Sequence, residues 1–261
     1  MELRVCLLGP LDVRRDGVPV GRPAGRQRTI LAMLLLDPRR AVSRDRLATE
    51  LYGDDPPASA AANLRGYVSG LRRWFARTAP TRHGDVLPHG DGTGWSLSLT
   101  GARLDVDAFE ADLLAGRAAA ARGDWPAARH RLSAAVLAFR GTPMVDIALG
   151  PVLGARATLL TCQWLTAVEE YADVLLTLGD NTLAQEVLVE FLMANPTRER
   201  AWCHLMLARY RAGDTAGALT AFRTARSALV DLVGVEPGGA LAALHRRVLN
   251  RDPALDLPLR R

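Results

Sequence analysis

Arg65, Ser69, Arg72 and Arg73 recur along one side of the stretch from residue 57 to residue 77, and no acidic residue interrupts them. A guanidinium donates hydrogen bonds in a rigid fork that matches phosphate oxygens and the acceptor edge of guanine, and a serine hydroxyl adds a short donor and acceptor. Such a set binds; it does not make or break bonds. Asn63 and Tyr67 lie on the same span and extend the candidate set. The other side carries Leu64, Val68, Leu71 and Phe75 at the spacing of an amphipathic helix with one buried stripe. One apolar edge and one cationic edge suit a helix in the major groove of DNA, which admits an α-helix. The same pattern also describes a surface helix with solvated arginines.

Several shorter elements precede this helix and would hold it. Leu3, Val5 and Leu7 alternate, Leu11 and Val13 follow Gly9-Pro10, and Asp16-Gly17 separates them from Val18 and Val20, so short strands and a hairpin are expected over 3–21. Gly25-Arg26-Gln27-Arg28 opens a helix that buries Ile30, Leu31, Leu34 and Leu35 and stops at Asp37-Pro38. Arg26, Gln27 and Arg28 fall in its first turn, where free backbone N–H groups favour an anion; this is either a phosphate anchor or a solvated helix start. Ser43 suits the N-cap of a second short helix carrying Leu47 and Leu51 and closed by Gly53. Helix, tight turn and longer basic helix follow helix-turn-helix logic. Around Asp91-Gly92-Thr93-Gly94, Val86-Leu87 and 95–99 read as a hairpin, hence a wing, with His89 and Thr93 as candidate DNA contacts. Trp95 is read there as a contact or, with more weight, as an apolar plug.

Charge is placed unevenly. The 261 residues carry a formal net charge of +5. Residues 1–100 hold 15 arginines against 10 acidic residues, whereas residues 101–261 hold 18 of each, so the whole excess sits with the basic helix. That location argues for a polyanion partner. All 33 basic residues are arginine, so no phosphate-loop, kinase-type or Schiff-base lysine exists. His83, His89, His130, His204 and His245 are scattered, and Cys6, Cys162 and Cys203 are far apart and read as core residues of a reducing compartment. Gly66-Tyr67-Val68-Ser69-Gly70 lacks the spacing of a nucleophile elbow. No catalytic residue, metal site, cofactor site, membrane span or export signal is read, and a cytoplasmic, nucleoid-associated location is expected.

From Leu104 onward the pattern is helical. Gly123-Asp124, Gly179-Asp180 and Gly213-Asp214 are each followed by an alanine five residues after the glycine. The last two glycines are 34 residues apart, the period of a tetratricopeptide unit, and Trp202, Leu205, Ala218 and Phe222 sit where that repeat wants them. The tail after Arg251 reads as loosely held. Two domains follow, residues 1–100 and 101–261. The expected class is an α+β N-terminal winged helix-turn-helix followed by an all-α tetratricopeptide-like domain.

A series of short motifs runs the length of the chain: 7–13, Gly25-x-Gln27-Arg28, 42–47, 51–57, Tyr67-Val68-Ser69-x-Leu71-Arg72-Arg73, Leu104-Asp105-Val106-Asp107-x-Phe109, 232–238 and 252–255. In order and coverage it resembles the Streptomyces antibiotic regulatory protein family, in which an OmpR-type winged helix is joined to a bacterial transcriptional activation domain. The resemblance implies an activator of actinobacterial secondary-metabolite genes. It would bind direct repeats near a promoter, with a second copy on the adjacent repeat, and recruit RNA polymerase through σ factor region 4 and an α C-terminal domain. It also implies the recognition role for Arg65, Ser69, Arg72 and Arg73 and the phosphate role for Arg26 and Arg28. Gly66 and Gly70 depart from the family pattern, and each costs about 1 kcal/mol against alanine in a helix. The rival reading is a helical-repeat adaptor or ligand-sensing scaffold whose winged helix docks protein.

Overall fold

The structure is a computed structural model and describes residues 2–36, 41–78, 88–90, 93–97 and 102–256. The chain is predominantly helical with a small N-terminal sheet. It divides into two compact units, Met1–Ala111 with Leu137–Gln163, and Asp112–Val136 with Trp164–Arg261.

The first unit opens with strands β1 (Leu3–Cys6), β2 (Asp12–Arg15) and β3 (Val18–Pro19). Asp16 and Gly17 both have positive φ, 48° and 83°. That is the turn handedness that matches the twist of a two-residue hairpin. Helices α1 (Arg26–Leu36) and α2 (Arg44–Tyr52) follow, with β4 (Val42–Ser43) between them, then the basic helix α3 (Ala60–Thr78). Ser43 caps α2 as its sequence position predicts, its Oγ accepting from the Arg46 N–H at 3.2 Å. Strands β5 (Pro88–Gly90), β6 (Gly94–Leu97) and β7 (Ala102–Leu104) complete the unit's strands among the described residues. The sheets run β3-β2-β1-β7, with β7 parallel to β1, and β4-β6-β5. Strand β7 was not legible as a strand, and neither was β4: two- and three-residue strands carry no alternation of their own. Val86-Leu87, the turn residues Asp91-Gly92 and the helix stop Asp37-Pro38 lie outside the described residues.

Leu64, Val68, Leu71 and Phe75 of α3 are each at most 1% exposed. Burying a side chain of this size contributes about 1.5–3 kcal/mol, so the stripe fixes which face of α3 is left to solvent. Leu47, Ile30, Leu31, Leu34 and Leu35 are fully buried beside them in the same unit.

Residues from 137 to 163 are built into this unit by hydrogen bonds between distant positions. The Asp105 carboxylate accepts from the Leu7 and Leu8 N–H groups at 2.8 and 2.9 Å. Burial pushes its pKa up, against those bonds and the nearby charge of Arg140. Arg140 N–H donates to Leu8 O, and Met144 N–H to Leu7 O and Gly9 O. Asp146 accepts from the Leu11 N–H at 2.7 Å, and Thr29 Oγ1 donates to Ala148 O at 3.0 Å. Most telling is Glu50 of α2, which is buried. Its Oε1 accepts from Gly150 N–H at 2.7 Å and its Oε2 from Val152 N–H at 2.7 Å, at the start of α6 (Pro151–Leu178). A carboxylate there satisfies orphan donors and complements the helix dipole.

The second unit consists of helices. It holds parts of α4 (Asp105–Ala121), α5 (Trp125–Leu137) and α6, and the whole of α7 (Asn181–Ala194), α8 (Glu199–Arg211), α9 (Thr215–Val233) and α10 (Gly239–Leu249). The three Gly-Asp turns share one geometry. Gly123, Gly179 and Gly213 have φ of 74°, 83° and 85°. The following aspartate N–H reaches back to Ala119 O, Leu175 O and Arg209 O, which closes the preceding helix. Ala128, Ala184 and Ala218 are fully buried, as small residues between closely paired helices must be. Two expectations are corrected here. The chain after Arg251 is held through 255: Arg211 Nε donates to Leu255 O at 2.7 Å, and Leu255 is buried. Cys162 is exposed, not a core residue.

Candidate nucleic-acid interface

The stripe of α3 turns Arg65, Ser69, Arg72 and Arg73 outward, and all four are exposed. Asn63 lies at the edge of this face, half-buried, its Nδ2 donating to Ser59 Oγ at 3.2 Å. Tyr67, also half-buried, turns toward α1. The Arg26 guanidinium bonds Tyr67 and lies 4.6 Å from the centre of the Tyr52 ring. The Tyr67 bond raises the Arg26 pKa above its ordinary value, and the side chain is oriented by two aromatic rings.

The three residues of the first turn of α1 are used differently. Arg26 is exposed. The Gln27 amide lies over Gly70: a Cβ added there would stand 2.3 Å from Gln27 Nε2. Arg28 is half-buried, and its Nη1 pairs with Asp146 Oδ2 at 3.3 Å, a carboxylate that also takes Arg22. The two α3 glycines likewise separate. Gly70 is buried and gives the Gln27 side chain its room, whereas an added Cβ at Gly66 meets open space. Gly66→Ala is therefore expected to raise the unfolding free energy by about 1 kcal/mol, measured by denaturant titration. A concurrent loss of DNA affinity would locate Gly66 where the helix backbone approaches DNA.

The hairpin completes the surface. His89 pairs with Ser96 across β5 and β6, and Gly90 pairs with Trp95. Thr93 is exposed at the tip side of β6, and its carbonyl accepts from the Arg44 N–H at 3.2 Å. Trp95 is buried and is the plug, not a surface contact. Val42 pairs with Trp95 and Ser43 with Gly94, so β4 ties the hairpin to the start of α2. A cleft of about 280 Å³ opens between α3 and the hairpin, lined by Arg44, Arg65, Arg72, Gly90, Gly94 and Trp95. Arg44 was missed as a candidate. Its signal was present: a cation in the first turn of a helix opposes the helix dipole and needs another reason to be there.

Among the described residues no group of three or more His, Cys, Asp or Glu could hold a metal, and no helix is long and apolar enough to cross a membrane. The described residues therefore present an arginine-faced helix in a unit with small sheets, followed by helix pairs. The bacterial transcriptional activator domain matches residues 104–249. The regulatory protein DnrI of Streptomyces peucetius is 31% identical over 97% of this chain and 94% of its own length. The transcriptional regulator RedD of Streptomyces coelicolor is 31% identical over 98% and 73%. The chain belongs to the Streptomyces antibiotic regulatory protein family of transcriptional regulators, which are not enzymes. It is also 32% identical to the transcriptional regulatory protein EmbR of Mycobacterium tuberculosis over 95% of this chain, and it spans 63% of EmbR's length. The structure of EmbR in complex with a low-affinity phosphopeptide superposes with a TM-score of 0.82, at 31% identity, over 99% of this chain and 66% of that one.

Proposed function

We infer that this regulator is a sequence-specific DNA-binding activator. Its residues 1–100 act as an OmpR-type winged helix, and its residues 101–261 as a tetratricopeptide-like activation domain. The observation that carries this reading is the convergence of Arg44, Arg65 and Arg72 on one cleft beside the outward face of α3. In this reading α3 enters the major groove, with Arg65, Ser69, Arg72 and Arg73 at the bases and Asn63 and Tyr67 at its edges. The hairpin is the wing, and His89 and Thr93 reach the adjacent backbone. Arg26, braced by Tyr52 and Tyr67, fits the phosphate anchor better than Arg28, which Asp146 already engages. Two copies occupy adjacent direct repeats near a promoter and recruit RNA polymerase through σ factor region 4 and an α C-terminal domain. The genes served are those of a secondary-metabolite cluster, and the site of action is the nucleoid.

Fluorescence anisotropy of the full chain on a duplex recovered with it from cells tests this. Affinity should fall steeply with salt, by about 0.9 log units per log unit of salt for each phosphate neutralised, and should exceed that for random duplex. Equal affinity for specific and random duplex at every salt concentration would refute base reading, and no duplex binding even at low salt would favour the docking alternative.

A further inference from the structure

The outer face of the four-stranded sheet carries a second cationic device, on strands rather than on α3. Arg4 of β1 is directly opposite Arg14 of β2 on one side and Arg103 of β7 on the other. The three residues are exposed. Paired residues on neighbouring strands project from the same face, and strands lie about 4.8 Å apart, so three guanidiniums leave the sheet within about 10 Å of one another. Like charges placed directly opposite destabilise a sheet. Two of the three are met by carboxylates of the same unit: Arg14 Nε pairs with Asp12 Oδ2 at 2.7 Å, and Arg103 Nε with Glu2 Oε1 at 2.7 Å. Arg4, at the centre, has no ion-pair partner among the described residues.

The row is also concave. A cavity of about 410 Å³ is lined by Glu2, Arg4, Arg14 and Arg103, with Gly17 and Ala108 leaving room at its walls. The buried carboxylate of Asp105, the other acid at this cavity, is occupied by the N–H groups of Leu7 and Leu8. A cavity of that size admits a small molecule, whereas a duplex presents a convex surface. Three forks this close can hold more charge than one carboxylate brings, and phosphate oxygens accept paired guanidinium bonds.

We propose that Arg4, Arg14 and Arg103 form a binding site for a small, multiply charged phosphate ligand such as an oligophosphate or the phosphate tail of a nucleotide. The ligand displaces Glu2 and Asp12 from the flanking arginines and supplies Arg4 with its counter-charge. This site is independent of the DNA reading of α3, and its failure leaves that reading untouched.

The probe is inorganic tripolyphosphate, titrated into the full chain at constant ionic strength. Affinity is read by calorimetry and location by the arginine Nε–H NMR signals. The Arg4, Arg14 and Arg103 signals should move together and saturate. Arg4→Ala and Arg103→Ala, both exposed positions, should each weaken binding about tenfold or more, because a charge-assisted bond is lost. Arg65→Ala should leave it unchanged. The proposal is overturned if saturation moves the α3 arginines instead, or if Arg4→Ala binds tripolyphosphate as wild type does. It is equally overturned if Arg4→Ala weakens duplex binding alone, since the row would then serve the DNA backbone.

Discussion

Glu50→Ala should lower the stability of the unit that carries α3 by about 3 kcal/mol and cost most of the DNA binding with it. Glu50 is buried, and its carboxylate accepts backbone N–H bonds from Gly150, Val152 and Leu153 at 2.7, 2.7 and 3.2 Å. Removing it strands three donors at the start of α6, together with the favourable charge at that helix end. The two backbones are also packed closely here: a Cβ at Gly150 would be 2.1 Å from Glu50 O. Glu50→Gln keeps one oxygen acceptor of the same shape and should lose roughly half as much. Denaturant titration of both variants checks the order, and Glu50→Ala equal to wild type would show that the bonds carry no net stability. A fragment ending at residue 100 loses these bonds and others. It would lack the Gly150, Val152 and Leu153 donors for Glu50, the Asp105 acceptor for Leu7 and Leu8, and the Asp146 acceptor for Leu11. Such a fragment is expected to be unstable, so DNA binding is best measured on the full chain.

What the sequence made legible was whatever repeats along one helix or within one turn. The buried stripe Leu64, Val68, Leu71 and Phe75, the Ser43 cap and the three Gly-Asp turns are local patterns, and the structure has them where the spacing puts them. Pairings between distant positions were not legible. Nothing near Glu50 announces that its partners lie 100 to 103 positions away. A Glu in an amphipathic helix reads as a solvent residue, since buried unpaired carboxylates are rare. The same limit applies to the candidate surface. Arg28 looked equivalent to Arg26 because both stand in the first turn of α1. One is braced by aromatic rings and the other is paired with Asp146, which lies 118 positions away. Gly70 looked like Gly66 because both stand inside α3, and what separates them is the Gln27 side chain, which comes from α1 and lies against Gly70 alone.

The largest effect on recognition should come from Arg65→Ala combined with Arg72→Ala. Both side chains line the cleft beside the hairpin, together with Arg44. A guanidinium bidentate to a base edge contributes about 1–3 kcal/mol of discrimination, so the pair together should cost about 2–6 kcal/mol on the preferred duplex. On random duplex the loss should be smaller, confined to what the two charges contribute to phosphate contacts, and the preference for one sequence should collapse. Arg26→Ala makes the contrasting control. Its guanidinium, bonded to Tyr67 and close to the Tyr52 ring, is suited to a phosphate, so its loss should weaken all duplexes alike and reduce the salt dependence by about one phosphate. Neither change should unfold the protein, because Arg65, Arg72 and Arg26 are all exposed. Circular dichroism melts would confirm that before the affinities are compared. If the double variant loses specific and random binding in equal proportion, the cleft arginines hold the backbone and the bases are read elsewhere on α3. Ser69 and Arg73, which share its outward face but do not line the cleft, would then be the residues to replace next.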